Sequence, residues 1–464
     1  MATSRTDSRA GTPTAKAAPP AAPTGGAQPA DAPPAGATPA GTAPRGTATG
    51  VATVFGALIG STPAVALDAY DGSTWGSPDA PVRLRIRSPK AISYLLSSPS
   101  ELGLARAFIT GHLEIEGDLY EALRALADAV DDVSLRSRLR FLRTLGPRYL
   151  RPVRRPYEET PSRLLRVVHG LRHSKTRDSE AISHHYDVSN RFYEWVLGPS
   201  MAYTCACFPT ADATLEQAQE HKFDLVCRKL ALQPGQRLLD VGCGWGGMVL
   251  HAVRHYGVRA LGVTLSRRQA EWAQQAIADA GLTDRAEVRH LDYREVPETG
   301  FNAISSIGLT EHIGAANLAS YFTFLHGKLR PNGRLLNHCI TRPTTRERHR
   351  PGLFIDRYIF PDGELEGVGE IVSAMQDNGF EVRHEENLRE HYAMTLANWS
   401  ANLEANWADA VEEVGLGKAR TWALYLVGSR LGFERRTIEL HQVLGVKAAA
   451  DGTSAMPLRP DWGV

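Results

Sequence analysis

Leu238-Leu239-Asp240-Val241-Gly242-Cys243-Gly244-Trp245-Gly246-Gly247 is the stretch on which the fold turns. Residues of buried-strand type run through an acid into four glycines within six positions. An amphipathic helix follows from about Met248, with Met248, Val249, Ala252, Val253 and Tyr256 on one face at a 3.6-residue period. Glycine tolerates positive φ and lets a backbone approach a ligand closely, so this is a strand-to-helix turn shaped around a cofactor. Such a turn sits at the carboxyl end of a parallel strand, where open α/β sheets bind ligands. The spacing reads as Gly-x-Gly-x-Gly-Gly rather than as the dinucleotide fingerprint, and the Gly-x-x-x-x-Gly-Lys-Ser/Thr phosphate loop is absent. A NAD-type turn and a fortuitous glycine-rich loop stay open on this stretch alone.

The pattern resembles the first motif of Rossmann-like methyltransferases that use S-adenosylmethionine (SAM). The chain downstream supports such a sheet. Strands are predicted over Ala260–Leu265, Ala286–Leu291, Phe301–Ile307 and Gly333–Asn337. Helices are predicted over Arg267–Ala280, with Ala270, Ala273, Ile277 and Ala280 inward, and over about Leu318–Leu329. This alternation is the rhythm of a doubly wound, mostly parallel α/β sheet. Tyr392, Leu396, Trp399, Leu403 and Trp407 share one face of a long predicted helix, as core or as the lining of an acyl tunnel.

The 464 residues leave room for two or three domains, and 43% hydrophobic with 22% charged residues is ordinary for a soluble protein. Five cysteines, at 205, 207, 227, 243 and 339, form no repeated Cys-x-x-Cys. An odd set of that kind argues for a reducing compartment and against a disulfide scaffold or structural zinc. No apolar run reaches the roughly 18 residues of a membrane span, and no secretory apolar core opens the chain. The expected location is cytoplasmic, peripheral on the inner face of the cell membrane.

Residues 1–50 are Ala-, Pro-, Thr- and Gly-rich and too poor in large apolar groups to offset chain entropy, which predicts a disordered tail. Residues 51–135 read as a small α/β domain. Val82-Arg83-Leu84-Arg85-Ile86-Arg87 alternates as a half-buried strand does, His112–Gly117 alternates again, and Leu119–Val130 is a predicted helix. Residues 136–180 form a basic linker broken by prolines. From Arg136 to Arg177, twelve arginines and one lysine face two acids, a net charge of +11 in a chain whose total is +1. A solvated linker explains that, as does an electrostatic foot on anionic lipid at about 1 kcal/mol per basic residue. No nucleic-acid-binding signature accompanies the charge, so no nucleic acid is expected. The catalytic domain spans residues 181–446, and 447–464 is a tail.

Further pieces now align with one family. His185-Tyr186-Asp187 and Tyr203-Thr204-Cys205-Ala206 precede the glycine turn. Gly262-Val263-Thr264-Leu265-Ser266, Asp292-Tyr293-Arg294, Gly308-Leu309-Thr310-Glu311-His312-Ile313-Gly314 and Asn337-His338-Cys339-Ile340 end successive strands, and Tyr358-Ile359-Phe360-Pro361-Asp362-Gly363 follows. Together they resemble the cyclopropane-fatty-acyl-phospholipid synthase and mycolic acid methyltransferase family over about residues 180–446, with an N-terminal domain similar to that of full-length synthases. One branch looks most similar, the actinobacterial fatty-acid C10 methyltransferases of tuberculostearic acid synthesis. Its resemblance rests on Thr310 where typical synthases have Phe and on Cys207 where they usually have Tyr. It rests also on Gly170–Arg177, Leu336–Thr341 and Gly428–Glu434.

The resemblance implies roles residue by residue. SAM would be held by Tyr203, Thr204, Asp240, Gly242, Gly244, Gly246, Thr264, Leu265, Gln269, Asp292 and Tyr293, with Gln269 serving the ribose where many methyltransferases use an acid. A bicarbonate ion would act as base, held by Cys205, Glu311, His338, Tyr392 and the backbone at Ile340. Cys205, Glu311, His338 and Tyr392 are thus the expected catalytic residues. Each taken alone is more ordinary: Cys205 as a small buried hydrophobe, His338 as a satisfied core histidine, and His312 as structural. Zinc on Cys205, Cys207 and His338 has suitable ligand types but no recognisable spacing, and no metal is expected.

The chemistry asks for such a site. A cis double bond is a weak nucleophile and a methyl sulfonium a strong methyl donor. Attack leaves a carbocation that must be stabilised, shielded from water and relieved of a proton. Proton loss from the new methyl group closes a cyclopropane; a hydride shift first, then proton loss, gives an exocyclic methylene. The expected substrate is an oleoyl-type phospholipid acyl chain and the expected product a 10-methylene chain, with cyclopropane as the alternative. A flavin-dependent reductase would then saturate it to the 10-methyl branch. An anionic membrane surface is a further expected partner, and a homodimer is left open. A small-molecule methyltransferase and a non-catalytic lipid-binding scaffold are the competing classes.

Overall fold

The computed structural model describes residues 50–59, 64–98, 101–130, 149, 153–160, 188–346, 352–361 and 363–463. The predicted tail, most of the basic stretch including Gly170–Arg177, and His185-Tyr186-Asp187 lie outside the described residues. No described helix is long and apolar enough to cross a membrane.

The predicted doubly wound sheet is present. Strands β5 (Arg237–Val241), β6 (Arg259–Thr264), β7 (Ala286–His290), β8 (Phe301–Ile307) and β9 (Leu329–Arg342) pair in parallel. From β5 the chain winds outward through β6 to β7, then returns to place β8 on the other side of β5. The carboxyl end of β5 is therefore a topological switch point, where a crevice opens between diverging connections. Both faces of β5 are covered, which is why it reads as a continuous apolar run. Leu238 packs with Val249, Ala252 and Ala260 on one face, and Leu239 and Val241 with Ile304 and Phe322 on the other.

Three strands of this sheet were not legible in the sequence, the first being β10 (Glu366–Gly367), which pairs in parallel with β9. β11 (Glu381–Asn387) and β12 (Glu439–Val446) extend the sheet antiparallel beyond β9, in the order β11-β12-β9-β8-β5-β6-β7. β12 is buried along its whole length although it includes Glu439, His441 and Gln442. β9 outruns the predicted Gly333–Asn337 by five residues toward the carboxyl end, because β12 supplies a second ladder. The predicted tryptophan helix also needs correction. It ends at Ala405, and Trp407 opens a separate helix, Trp407–Val414. Among the described residues, 447–463 form no further strand or helix, yet the Lys447 ammonium donates to the carbonyls of His326 and Leu329 at 3.0 and 2.8 Å.

Ahead of this sheet, β1 (Val65–Ala69), β2 (Thr74–Trp75), β3 (Val82–Ile86) and β4 (Leu113–Glu116) form a second sheet in the order β2-β1-β3-β4. The alternation in β3 holds, with Val82, Leu84 and Ile86 buried and Arg83 and Arg85 outward on Asp68 and Glu116. The helix Glu101–Ile109 joins the two assemblies. Its Leu102, Ala105 and Ile109 share one apolar cluster with Phe192, Leu396, Trp399, Trp422 and Tyr425. A buried carboxylate ties the joint: Glu159 accepts both Nε and Nη2 of Arg106, each at 2.7 Å.

Candidate active site

The expected donor-site residues stand at successive strand ends. Gly242, Gly244 and Gly246 follow β5 with φ of +74, +54 and +80°. Gly246 caps the helix Gly247–Tyr256, and a Cβ there would come within 3.0 Å of the Ala273 Cβ on the helix Arg267–Asp279. Gly246→Ala is expected to lose about 1–2 kcal/mol of stability from the left-handed backbone alone, and to weaken SAM binding measured by calorimetry as the turn shifts. Parental affinity in that variant would dissociate the turn from the donor.

Asp240 is buried at the end of β5 and accepts the Ser305 hydroxyl at 2.6 Å. Burial pushes its carboxyl up to about 7, opposed by that hydrogen bond and by the Lys222 ammonium. Thr264, the last residue of β6, donates its hydroxyl to Gln269 Oε1 at 2.8 Å, which orients the buried Gln269 in the first turn of the helix Arg267–Asp279, with Leu265 half-buried between them. Asp292 and Tyr293 follow β7, but with their side chains engaged. Asp292 takes Nε and Nη2 of Arg294 at 2.8 and 2.6 Å, and Tyr293 packs edge-on against Tyr321 and Phe324.

The expected catalytic set comes together from four separate elements. Tyr203, Thr204, Cys205, Glu311, His338, Ile340 and Tyr392 all line one cavity of about 950 Å³. Glu311 sits on the short turn after β8, and its Oε1 accepts the Ile340 N–H at 2.7 Å. That N–H, expected on the bicarbonate, is therefore engaged by the carboxylate. Burial pushes the Glu311 carboxyl up to about 7 against this hydrogen bond. His338 lies on β9, and burial with the nearby Lys222 and Lys229 ammoniums holds it well below its ordinary value. Glu311 Oε2 and His338 Nε2 are buried without a hydrogen-bond partner. Burial raises the Cys205 thiol well above its usual range, and its Sγ donates to the Ala206 carbonyl at 3.1 Å. Tyr392 packs on Phe433, ring centroids 4.6 Å apart. Among the described residues no cluster of three His, Cys, Asp or Glu side chains is set to hold a metal ion.

Sequence reasoning missed Lys222. It is buried, donates to Thr204 Oγ1 at 3.0 Å and lies 3.5 Å from the Phe223 ring centroid. Burial pulls its ammonium down to about 8. A lysine on a helix otherwise amphipathic in pattern gives no sequence sign of burial. Also missed was the reach of the cavity. Its walls continue through Tyr425, Gly428 and Phe433 to Leu95, Leu104, Phe108 and Leu126 beside the small sheet. The tryptophan helix divides accordingly: Tyr392 and Leu396 face the cavity, while Trp399 and Leu403 are core.

Known proteins resemble this arrangement. The family model described as mycolic acid cyclopropane synthetase matches residues 173–443. The chain is 56% identical over 400 residues to a probable fatty acid methyltransferase of Mycobacterium tuberculosis, covering 85% of this chain and 93% of that protein. It is 41% identical over 399 residues to a probable fatty acid methyltransferase of Pseudomonas putida, covering 84% and 94%. Among solved structures, the mycolic acid cyclopropane synthase CmaA1 complexed with SAH and CTAB matches at 35% identity and a TM-score of 0.55, over 57% of this chain and 97% of that one.

Proposed function

Because the chain belongs to the mycolic acid cyclopropane synthetase family and is a SAM-dependent methyltransferase, we propose that it methylates the cis double bond of an unsaturated phospholipid acyl chain. The chain proposed is oleoyl, and the product a 10-methylene precursor of 10-methyl, tuberculostearic-type fatty acids. One observation carries the acyl reading. The cavity that holds Glu311 and His338 is lined mainly by apolar side chains, with Glu101, Thr204, His312, Ser429 and Thr437 its other polar members, and runs on past Phe433 to Leu95, Leu104 and Phe108. At about 950 Å³ it is at the upper end of pockets that enclose an entire small ligand.

Bound SAM supplies the methyl group. The residues present also fit a bicarbonate base, since the two orphaned atoms, Glu311 Oε2 and His338 Nε2, form an acceptor–donor pair for an oxyanion that carries one proton. Glu311, His338, Tyr392 and Cys205 would hold it, and when bound it would supply the proton acceptor. Around them Tyr203, Phe360, Tyr392, Tyr425 and Phe433 present aromatic rings to the cavity. Aromatic faces attract a cation and exclude the water that would trap it. Glu311 adds negative charge beside the same space. Thr310 and Cys207, the positions that favour the methylene branch, do not themselves line it. Thr310 is buried behind the wall and donates to Asn337 Oδ1 at 2.7 Å, so its influence would pass through β9.

The 10-methylene product calls for a reducing partner, for which a flavin-dependent reductase is the candidate, and the basic stretch for an anionic membrane surface. The test is mass spectrometry of fatty acid methyl esters from cells that express the protein and are fed oleate, with derivatisation to separate ring from exocyclic methylene. A 10-methylene C19 chain is the expected product. A cyclopropane would assign it to the ring-forming synthases, and no new lipid product would overturn the acyl reading.

A further inference from the structure

We infer that Lys229 and Gln442 are positioning residues that fix the tautomer of His338, so that this buried imidazole presents an N–H to the cavity and cannot serve as the base. Three elements build the relay. Lys229 is the last residue of the helix Leu215–Lys229, Gln442 lies on β12, and His338 faces Gln442 across the antiparallel β12–β9 ladder. All three are buried, at 0%, 0% and 1% exposure.

The chain of donors leaves one arrangement. The Lys229 ammonium has hydrogens and no lone pair, so the end of Gln442 that meets it at 2.7 Å is Oε1. Glu386 holds the same ammonium from the other side. The opposite end of Gln442 is then its NH₂, which can only donate, and it meets His338 Nδ1 at 3.1 Å. Nδ1 must offer its lone pair. A neutral imidazole with that lone pair committed carries its hydrogen on Nε2. Nε2 is the atom that has no hydrogen-bond partner, on a residue that lines the cavity with Glu311. Burial and the lysines at 222 and 229 disfavour a second proton on the ring.

The consequence for catalysis, which rests on the acyl-methylation reading, is a division of labour. His338 donates to an oxyanion and takes no proton from the substrate. Glu311, which lines the same cavity and has an unpartnered Oε2, is the member of the set that can accept one. Without Gln442 the imidazole is free to place its hydrogen on Nδ1, and the cavity would face a lone pair instead of a donor.

The test reads the ring directly. In protein labelled with ¹⁵N-histidine, long-range proton–nitrogen correlation spectra, with His338 assigned by its loss in His338→Gln, should show Nε2 protonated and Nδ1 bare. A ring protonated on Nδ1 overturns the inference. Gln442→Met, which keeps the side-chain length and removes the amide, should lose the Nε2–H preference. It should also lower kcat about 10–100-fold, the scale set by partners that orient metal-bound histidines, with SAM affinity within about twofold. An unchanged tautomer and full rate in that variant would also overturn it. If Gln442→Met does not fold, the parent spectrum alone decides. If the parent ring is as assigned but no lipid product forms in any assay, the substrate reading fails and the relay stands.

Discussion

Glu311→Gln is expected to lower turnover on lipid by about 10²–10⁴-fold, the range for a group that handles the proton in the rate-limiting step, with SAM binding within about twofold of the parent. The amide keeps the size and the Oε1 acceptor for the Ile340 N–H, so the turn after β8 holds its shape. What is lost is the negative charge beside the cation and the ability of Oε2 to accept a proton. Loss of SAM binding with a normal rate once SAM is bound would show that Glu311 belongs to the donor site instead.

The same substitution should stabilise the fold in a defined pH window. The Glu311 carboxyl moves from 4.5 to about 7 because it is buried. Its folded value is raised, so the stability it contributes is whole below pH 4.5 and is lost as pH rises through about 7. Above that, ionising the buried carboxyl costs on the order of 3 kcal/mol, a cost the glutamine avoids. Glu311→Gln should therefore melt at a higher temperature than the parent at pH 8, with the gap closing by pH 4.5. In the parent, kcat should climb as pH rises through about 7, as the carboxylate forms. A melting gap that does not depend on pH would mean that Glu311 is not the titrating group.

Gly428→Phe is expected to cut turnover on an oleoyl chain on the order of 100-fold, the penalty for displacing a reacting group by about an ångström. Gly428 lies inside the helix Leu416–Glu434 and on the cavity wall, and a Cβ there meets nothing within 4 Å. A phenyl group at that position enters the space between Tyr425 and Phe433. The backbone gains, because glycine inside a helix is the costlier residue by roughly 0.5–1 kcal/mol relative to alanine. The melting temperature should hold or rise and SAM affinity stay at the parental value, so lost activity would report a blocked cavity and not a damaged fold. A shorter unsaturated chain should be impaired less. Full activity on oleoyl lipid would place the acyl chain elsewhere.

The sequence by itself determined the parallel core of the sheet and the glycine turn at its switch point, and a resemblance named a polar set. Short apolar runs mark β5 to β8 and period-3.6 patterns their helices, because those elements face apolar neighbours that their own spacing records. Glycines at 242, 244 and 246 mark a turn that positive φ requires. Cys205, Glu311, His338 and Tyr392 were legible only through a resemblance, since each alone is an ordinary core or surface residue. Trp407 shows the limit of periodicity, which carried a helix past Ala405 where the backbone breaks. Only the tertiary structure decided the rest. β12 carries an acid, a histidine and a glutamine that no burial pattern assigns to the interior, and each is met there by a partner: Arg436 on Glu439, Thr341 on His441, and Lys229 and His338 on Gln442. The cavity's far wall comes from Leu95, Leu104 and Phe108, well over a hundred residues before Glu311 in the chain. The partner of His338 Nδ1 is likewise Gln442, itself held by Lys229, both distant in sequence. Local spacing records which face of an element is apolar; it does not record which other element comes to meet it, and hydrogen-bond partners and cavity walls depend on that meeting.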